Sequence, residues 1–104
     1  MTDGPAKPAA EFEALNIPPP ALELGGYEVL RAVIAKGQLH VSLRRAFDDP
    51  EVWGTLLADV ARHVGRIFAR ETSMREEQAV EKVRAMFQAE MDRPTDIGTT
   101  NAVS

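Results

Sequence analysis

The stretch that decides the fold runs from Asp48 to Arg70 and reads DDPEVWGTLLADVARHVGRIFAR. Asp49 is suited to cap a helix that begins at Pro50, because a proline at the first helical position has no N–H left to satisfy. Apolar residues then recur at helical spacing, which predicts a helix from Pro50 to about Arg70. The stripe that we expect to face the core consists of Trp53, Leu56, Leu57, Val60, Val64, Ile67 and Phe68.

A neighbouring face of the same helix carries only small residues. This small-residue ridge consists of Gly54, Ala58, Ala61, Gly65 and Ala69. Glycine inside a helix costs about 1 kcal/mol relative to alanine, so two glycines on one face need a compensating gain. Close packing within the chain is the interpretation favoured by the small size of the domain. A face for self-association is the alternative.

A second helix is predicted after a short connection. Ser73 and Glu76 have the spacing of a capping box and predict a helix from about Met74 to Met91. Its buried side would contain Val80, Val83, Phe87 and Met91.

The segment from Tyr27 to Arg44 has two interpretations. If Lys36 and Gly37 form a two-residue turn, one register sorts the residues of both strands into an apolar and a mixed face, as a half-buried hairpin requires. The apolar pairs would be Ile34/Leu39, Ala32/Val41 and Leu30/Leu43. Alternatively, Tyr27 to Lys36 form a helix that Gly37 caps. The hairpin is the interpretation that we favour.

The predicted fold class is therefore α+β: an antiparallel β-hairpin followed by two antiparallel α-helices, in the order ββαα. The domain would span residues 22–93, between a mostly disordered arm (1–21), which holds five of the seven prolines, and a disordered tail (94–104). A two-stranded sheet is marginal and has open edges. We expect edge-to-edge dimerisation, or a third strand from residues 23–26 or the arm, to complete it.

Composition narrows the function classes. The net charge is −4, with 12 basic and 16 acidic residues, which argues against a general nucleic-acid binder. No apolar run approaches the roughly 20 residues of a membrane helix, and the first residues do not resemble a secretory signal, so we expect a cytoplasmic protein. With no cysteine, the chain has no disulfide or thiolate site. The sequence contains no motif that is typical of cofactor binding, so we expect no cofactor.

Two histidines are candidate ligand-binding residues. In the hairpin register, His40 shares a face with Arg31 and Ser42, while His63 follows Asp59 by one helical turn. Together these five residues could form a small-ligand or metal site. The alternative, which we favour, is an Asp59–His63 pair on the helix surface and a solvent-facing strand histidine.

Arginines recur every four residues on the first long helix. Arg62, Arg66 and Arg70 form this row, and Arg44 stands at the end of the second strand. Guanidinium groups bind phosphates and carboxylates well, so the four residues are candidate anion ligands. A solvated face of mixed charge is the interpretation that we favour. Nucleic-acid binding through this row is the weakest functional hypothesis, because the chain is acidic.

Several short motifs carry a resemblance to a known family. They are Pro18-Pro19, Glu28-Val29-Leu30-Arg31, Leu39-His40-Val41-Ser42-Leu43, Asp48-Asp49-Pro50 with Trp53-Gly54, and Leu57-Ala58-Asp59-Val60-Ala61-Arg62-His63-Val64. Through them, the stretch from about Ile17 to Asp96 resembles a small family of bacterial proteins, found mainly in α-proteobacteria and known only as a domain of unknown function. The resemblance implies a real folded unit and brings no activity, cofactor or catalytic residue.

The sequence therefore favours a small non-enzymatic homodimer that presents a surface to another protein. The alternative is a small-ligand or metal-binding protein that uses His40 and His63.

Overall fold

The structure, a computed structural model, describes residues 11–95 and 98–103. In chain order its elements are α1 (Pro19–Leu24), β1 (Leu30–Ala35), β2 (Gln38–Leu43), α2 (Pro50–Glu71), α3 (Glu76–Asp92) and β3 (Thr99–Ala102). The α+β class is confirmed, whereas the simple ββαα order is not, because α1 and β3 are additional elements.

The hairpin forms in the predicted register. β1 and β2 are antiparallel, and Leu30 pairs with Leu43 and Ile34 with Leu39. The turn residues Lys36 and Gly37 have φ values of 53° and 74°. Positive φ at both central residues is what a two-residue type I′ hairpin turn requires. The strand interpretation is thus confirmed for Leu30–Ala35, and the helical alternative for this segment is wrong.

The third strand comes from an unexpected place. β3 pairs in parallel with β2, with His40 opposite Thr99 and Ser42 opposite Asn101, which makes the sheet mixed and its order β1-β2-β3. The sequence predicts a disordered tail for these residues, and it predicts that either dimerisation or a strand from residues 23–26 or the arm completes the sheet. A parallel pairing needs a long crossover, which the two long helices provide.

Residues 23–26 do not form a strand because they lie at the end of α1. This short helix has prolines in its first turn and ends at Gly25, whose φ of 73° is the left-handed conformation typical of a helix C-terminus. The end of the predicted proline-rich arm is therefore helical.

The start of α2 agrees with the prediction. Asp49 Oδ1 accepts a hydrogen bond from the backbone N of Glu51 at 2.9 Å, and Pro50 is the first helical residue. Trp53 Nε1 donates to the backbone O of Arg45 at 2.7 Å, and its ring meets that of Phe47 edge-on at 5.8 Å. These contacts attach α2 to the loop that follows β2.

α3 begins later than predicted, at Glu76. Thr72 Oγ1 accepts from the backbone N of Met74 at 3.1 Å, a local turn that competes with helix formation at residues 72–74. Gln78 Oε1 accepts from the backbone N of Arg75 at 3.0 Å, so Gln78 takes the role that we had assigned to Glu76 in a capping box with Ser73. The predicted Ser73–Glu76 box is therefore wrong.

Among the described elements, close backbone contacts join three pairs: β1 with β2, β2 with β3, and α2 with α3. The short helix α1 shares a cavity with β1, whereas no close backbone contact joins α2 or α3 to a strand. Ala79 is accordingly the only buried apolar side chain in this part of the chain, and Leu57, Val60, Ile67 and Phe68 of the predicted core stripe are 40–46% exposed. One chain thus leaves most of its predicted core uncovered.

Candidate functional site

Helices α2 and α3 pack closely at Gly65, which marks the closed end of their pair, whereas the space beside Gly54, at the open end, is unoccupied. At the closed end, a Cβ added to Gly65 would lie 2.6 Å from Val80 Cγ2 and 3.1 Å from the backbone O of Glu76. At the open end, a Cβ added to Gly54 would find no atom of another element within 4 Å. The small-residue ridge is therefore covered by α3 at Gly65 and uncovered at Gly54.

Between the two helices lies a groove of about 420 Å³, called the α2–α3 groove below, which extends from Gly54 at the open end as far as Val64 and Val80. Gly54, Leu57 and Ala58 line it from α2, and Val83 and Phe87 line it from α3. Leu57 is 40% exposed and Phe87 is 51% exposed. The groove thus combines small residues that leave room with large apolar side chains that lack a full set of neighbours.

The charges along the groove are paired within each helix. Arg62 and Arg84 also line it; Arg62 lies 3.4 Å from Asp59 on α2, and Arg84 lies 3.7 Å from Glu81 on α3. Both helices therefore bring one cation and one anion to this region. A partner that carries charge of only one sign would therefore meet both attractive and repulsive charges along this groove.

On the sheet, polar side chains of β2 meet polar side chains of β3. His40 Nδ1 lies 2.9 Å from Thr99 Oγ1, and Asn101 Nδ2 donates to Ser42 Oγ at 3.4 Å. The next strand adds Arg31, opposite Ser42 in the register. Sequence reasoning missed Thr99 and Asn101, because the residues TTNA show neither a long run nor a clear alternation that would predict a strand.

The two histidines are not brought together. His40 lies on β2 and His63 on α2, and in the described part of the chain these elements do not pack against each other. His63 Nδ1 lies 3.3 Å from Arg66 Nη1, and Asp59 pairs with Arg62. The predicted Asp59–His63 pair does not form, because Arg62, one turn from Asp59, reaches its carboxylate. Residues 11–95 and 98–103 contain no group of three His, Cys, Asp or Glu side chains placed to hold a metal ion.

The arginines also divide between two places. Arg62, Arg66 and Arg70 lie on α2, where Arg66 Nε is 4.0 Å from Glu76 Oε2 of α3. Arg44 lies beside the sheet, where its Nε donates to the backbone O of Glu28 at 2.8 Å and its guanidinium stands 5.7 Å from the centre of the Tyr27 ring. The described contacts thus give Arg44 and the α2 row no common anion site.

No described helix combines the length and the apolar character that crossing a membrane requires.

Comparison with known proteins identifies a family, and it also finds similar solved structures. Residues 14–95 match the family described as a domain of unknown function, DUF5076. A solved structure described as "a putative pyruvate dehydrogenase from the photosynthetic bacterium Rhodopseudomonas palustrus CGA009" is similar, with 41% sequence identity and a TM-score of 0.71. The match covers 92% of this chain and 100% of that one. No curated protein matches the sequence.

Proposed function

We propose that this chain, which belongs to the DUF5076 family of domains of unknown function, is a non-enzymatic interaction module that works as a homodimer. In this proposal, α2 and α3 form an antiparallel pair, a second copy of the chain completes the apolar core, and the paired molecule presents a surface to another protein. A cytoplasmic location, which the acidic, cysteine-free sequence favours, is part of the same proposal.

The observation that carries the proposal is the missing core of the single chain. Ala79 is the one apolar side chain that is buried among the described residues, and seventeen large apolar side chains there are at least 39% exposed. A domain of this size needs nearly all of its apolar surface in a core to offset the loss of conformational entropy on folding. A second copy is the partner that is present wherever the protein is made.

The mixed sheet provides a surface of the right chemistry for that other protein. Its polar face carries the hydrogen-bonding side chains of Arg31, His40, Ser42, Thr99 and Asn101, placed side by side on neighbouring strands. Rigid side chains on paired strands hold donors and acceptors in fixed positions, which favours specific recognition.

The name of the similar solved structure suggests a different activity, the oxidative decarboxylation of pyruvate. Enzymes that decarboxylate 2-oxo acids stabilise the resulting carbanion on a bound cofactor, which needs a pocket of converging polar groups. Among the described residues no polar or charged side chain is buried, and the α2–α3 groove is mainly apolar. Because these residues do not fit such a pocket, we propose no dehydrogenase activity for this chain.

The first experiment is the solution mass of the full chain by size-exclusion chromatography with light scattering, over a wide dilution range. The proposal predicts twice the chain mass of 11.4 kDa at high concentration and dissociation on dilution, with loss of stability as the monomer forms. A mass of one chain at every concentration, together with cooperative unfolding that does not depend on concentration, would overturn it.

A further inference from the structure

We infer that the α2–α3 groove is the surface on which the second copy docks, so that two α2–α3 pairs form a four-helix arrangement around a two-fold axis. This inference rests on the proposed homodimer and assigns its interface. The competing interface is the outer edge of β1, at which two hairpins would pair edge to edge.

The shape of the groove fits a copy of itself. In an interface with two-fold symmetry, the same patch meets itself, so it must supply both the protruding and the receiving parts. Phe87 and Leu57 supply large apolar side chains that are 51% and 40% exposed, and Gly54 with Ala58 on the same groove leaves open space. The groove therefore contains both the large side chains and the open space that an interface with two-fold symmetry requires.

The charges also fit a second copy. Arg62 with Asp59 and Arg84 with Glu81 place opposite charges on each helix next to the groove. Two copies related by a two-fold axis can set cation against anion at both sides, whereas a strongly basic or acidic partner would meet like charges on each helix.

The size of the face is appropriate as well. α2 has 22 residues and α3 has 17, which correspond to lengths of about 33 Å and 26 Å at 1.5 Å per residue. Two adjacent helices of about 10 Å diameter then present a face of roughly 600 Å². That is close to the roughly 800 Å² per partner of a standard interface, before any contribution from the sheets.

The test compares two apolar residues of α2 that have the same exposure. Leu57 lines the groove, whereas Val52 does not, and both are 40% exposed. We expect Leu57→Arg to raise the dimer dissociation constant at least a hundredfold, because it buries a charge without a partner at the interface. Val52→Arg, the matched control, adds the same charge to the same helix and should leave the dissociation constant within a few fold of wild type.

A second measurement covers the case in which Leu57→Arg disturbs folding, which circular dichroism would show. Because the chain has no cysteine, single-cysteine variants report on one position each. We expect a thiol placed by Ala58→Cys to react with a maleimide at least tenfold more slowly in the dimer than after dilution to the monomer. The thiol of Val52→Cys should react equally fast in both states.

The outcomes separate the inference from the proposal on which it rests. If the wild type is a monomer at all concentrations, the homodimer itself is wrong. If the wild type is a dimer but Leu57→Arg dimerises normally, or the thiol of Ala58→Cys reacts as fast in the dimer as in the monomer, the groove is not the interface. In that case a variant at the outer edge of β1, Ala32→Pro, whose backbone N–H faces away from β2, should abolish the dimer.

Discussion

The two ends of the α2–α3 pair contain the same kind of residue with opposite surroundings. At the closed end, Gly65 is buried and has no room for a Cβ, because Val80 and the backbone of Glu76 occupy that space. At the open end, Gly54 is exposed and has ample room within its own chain. The fold of the single chain therefore explains one glycine of the ridge and leaves the other to be explained by something outside the chain.

This difference shows what a small-residue ridge does and does not indicate. Close approach of another backbone compensates for glycine in a helix, and α3 provides that approach only where the helices converge. Both interpretations drawn from the sequence, packing within the chain and self-association, thus apply to different parts of one ridge: the first to Gly65 and, in our proposal, the second to Gly54.

The largest effect is expected at the closed end. Gly65→Ala places a methyl group 2.6 Å from Val80 Cγ2, which forces the helices apart, so the free energy of unfolding should fall by about 1–2 kcal/mol after the helical preference of alanine is counted. Denaturant unfolding measures it. The control is the double variant Gly65→Ala/Val80→Ala, which removes the atom that clashes with the new methyl group. Its free energy of unfolding should fall by less than the sum of the losses in the two single variants. Strict additivity of the two substitutions would show that this contact does not hold the closed end.

An effect of smaller size and opposite sign is expected at the open end. Gly54→Ala meets nothing in its own chain, so in a monomeric background such as Leu57→Arg it should raise the free energy of unfolding by up to about 1 kcal/mol. In the wild-type background the same change should weaken the dimer, because the added methyl group occupies space that we assign to the second copy. Chemical unfolding and the dissociation constant measure the two effects. Tighter dimerisation of Gly54→Ala would contradict the difference between the two ends.

The smallest effect concerns the ion pair that crosses between the helices at the closed end. Arg66 and Glu76 are 4.0 Å apart and both side chains are 46% exposed, so Arg66→Gln should lower the free energy of unfolding by no more than about 0.5 kcal/mol. Arg62→Gln, which breaks a pair within α2, is the matched control and should behave alike. A loss above about 1 kcal/mol for Arg66→Gln alone would mean that charge, rather than packing at Gly65, keeps the helices together.

Much of the local structure could be predicted from the sequence. The hairpin register follows from the alternation on both strands and the Lys36-Gly37 turn, and the start of α2 follows from Asp49 and Pro50, since all of these depend on neighbouring residues. The start of α3 could not be predicted in this way, because Thr72 accepts from the backbone N of Met74 and Gln78 accepts from the backbone N of Arg75, which moves the N-cap from Ser73 to Arg75. β3 was missed because its stability comes from the edge of β2, far earlier in the chain.

The candidate site shows the same division. The ridge and the apolar stripe were visible in the sequence, but which part of the ridge α3 covers depends on where the two helices converge. The sequence allowed His40, Asp59 and His63 to share a site because it does not specify the distances between residues that are far apart in the chain. The structure places His40 on β2 and the other two on α2, and these two elements do not pack against each other.

The sequence by itself determined the start of α2 at Asp49 and Pro50, the turn, the strand register and the acidic, cysteine-free character of this protein. These depend on interactions between residues close in the chain or on composition alone. The tertiary structure decided the parallel third strand, the convergence of α2 and α3 at Gly65, the opening at Gly54 and, among the described elements, the lack of close backbone contacts between the sheet and the two long helices. These features depend on contacts between distant segments, whose geometry no local pattern specifies.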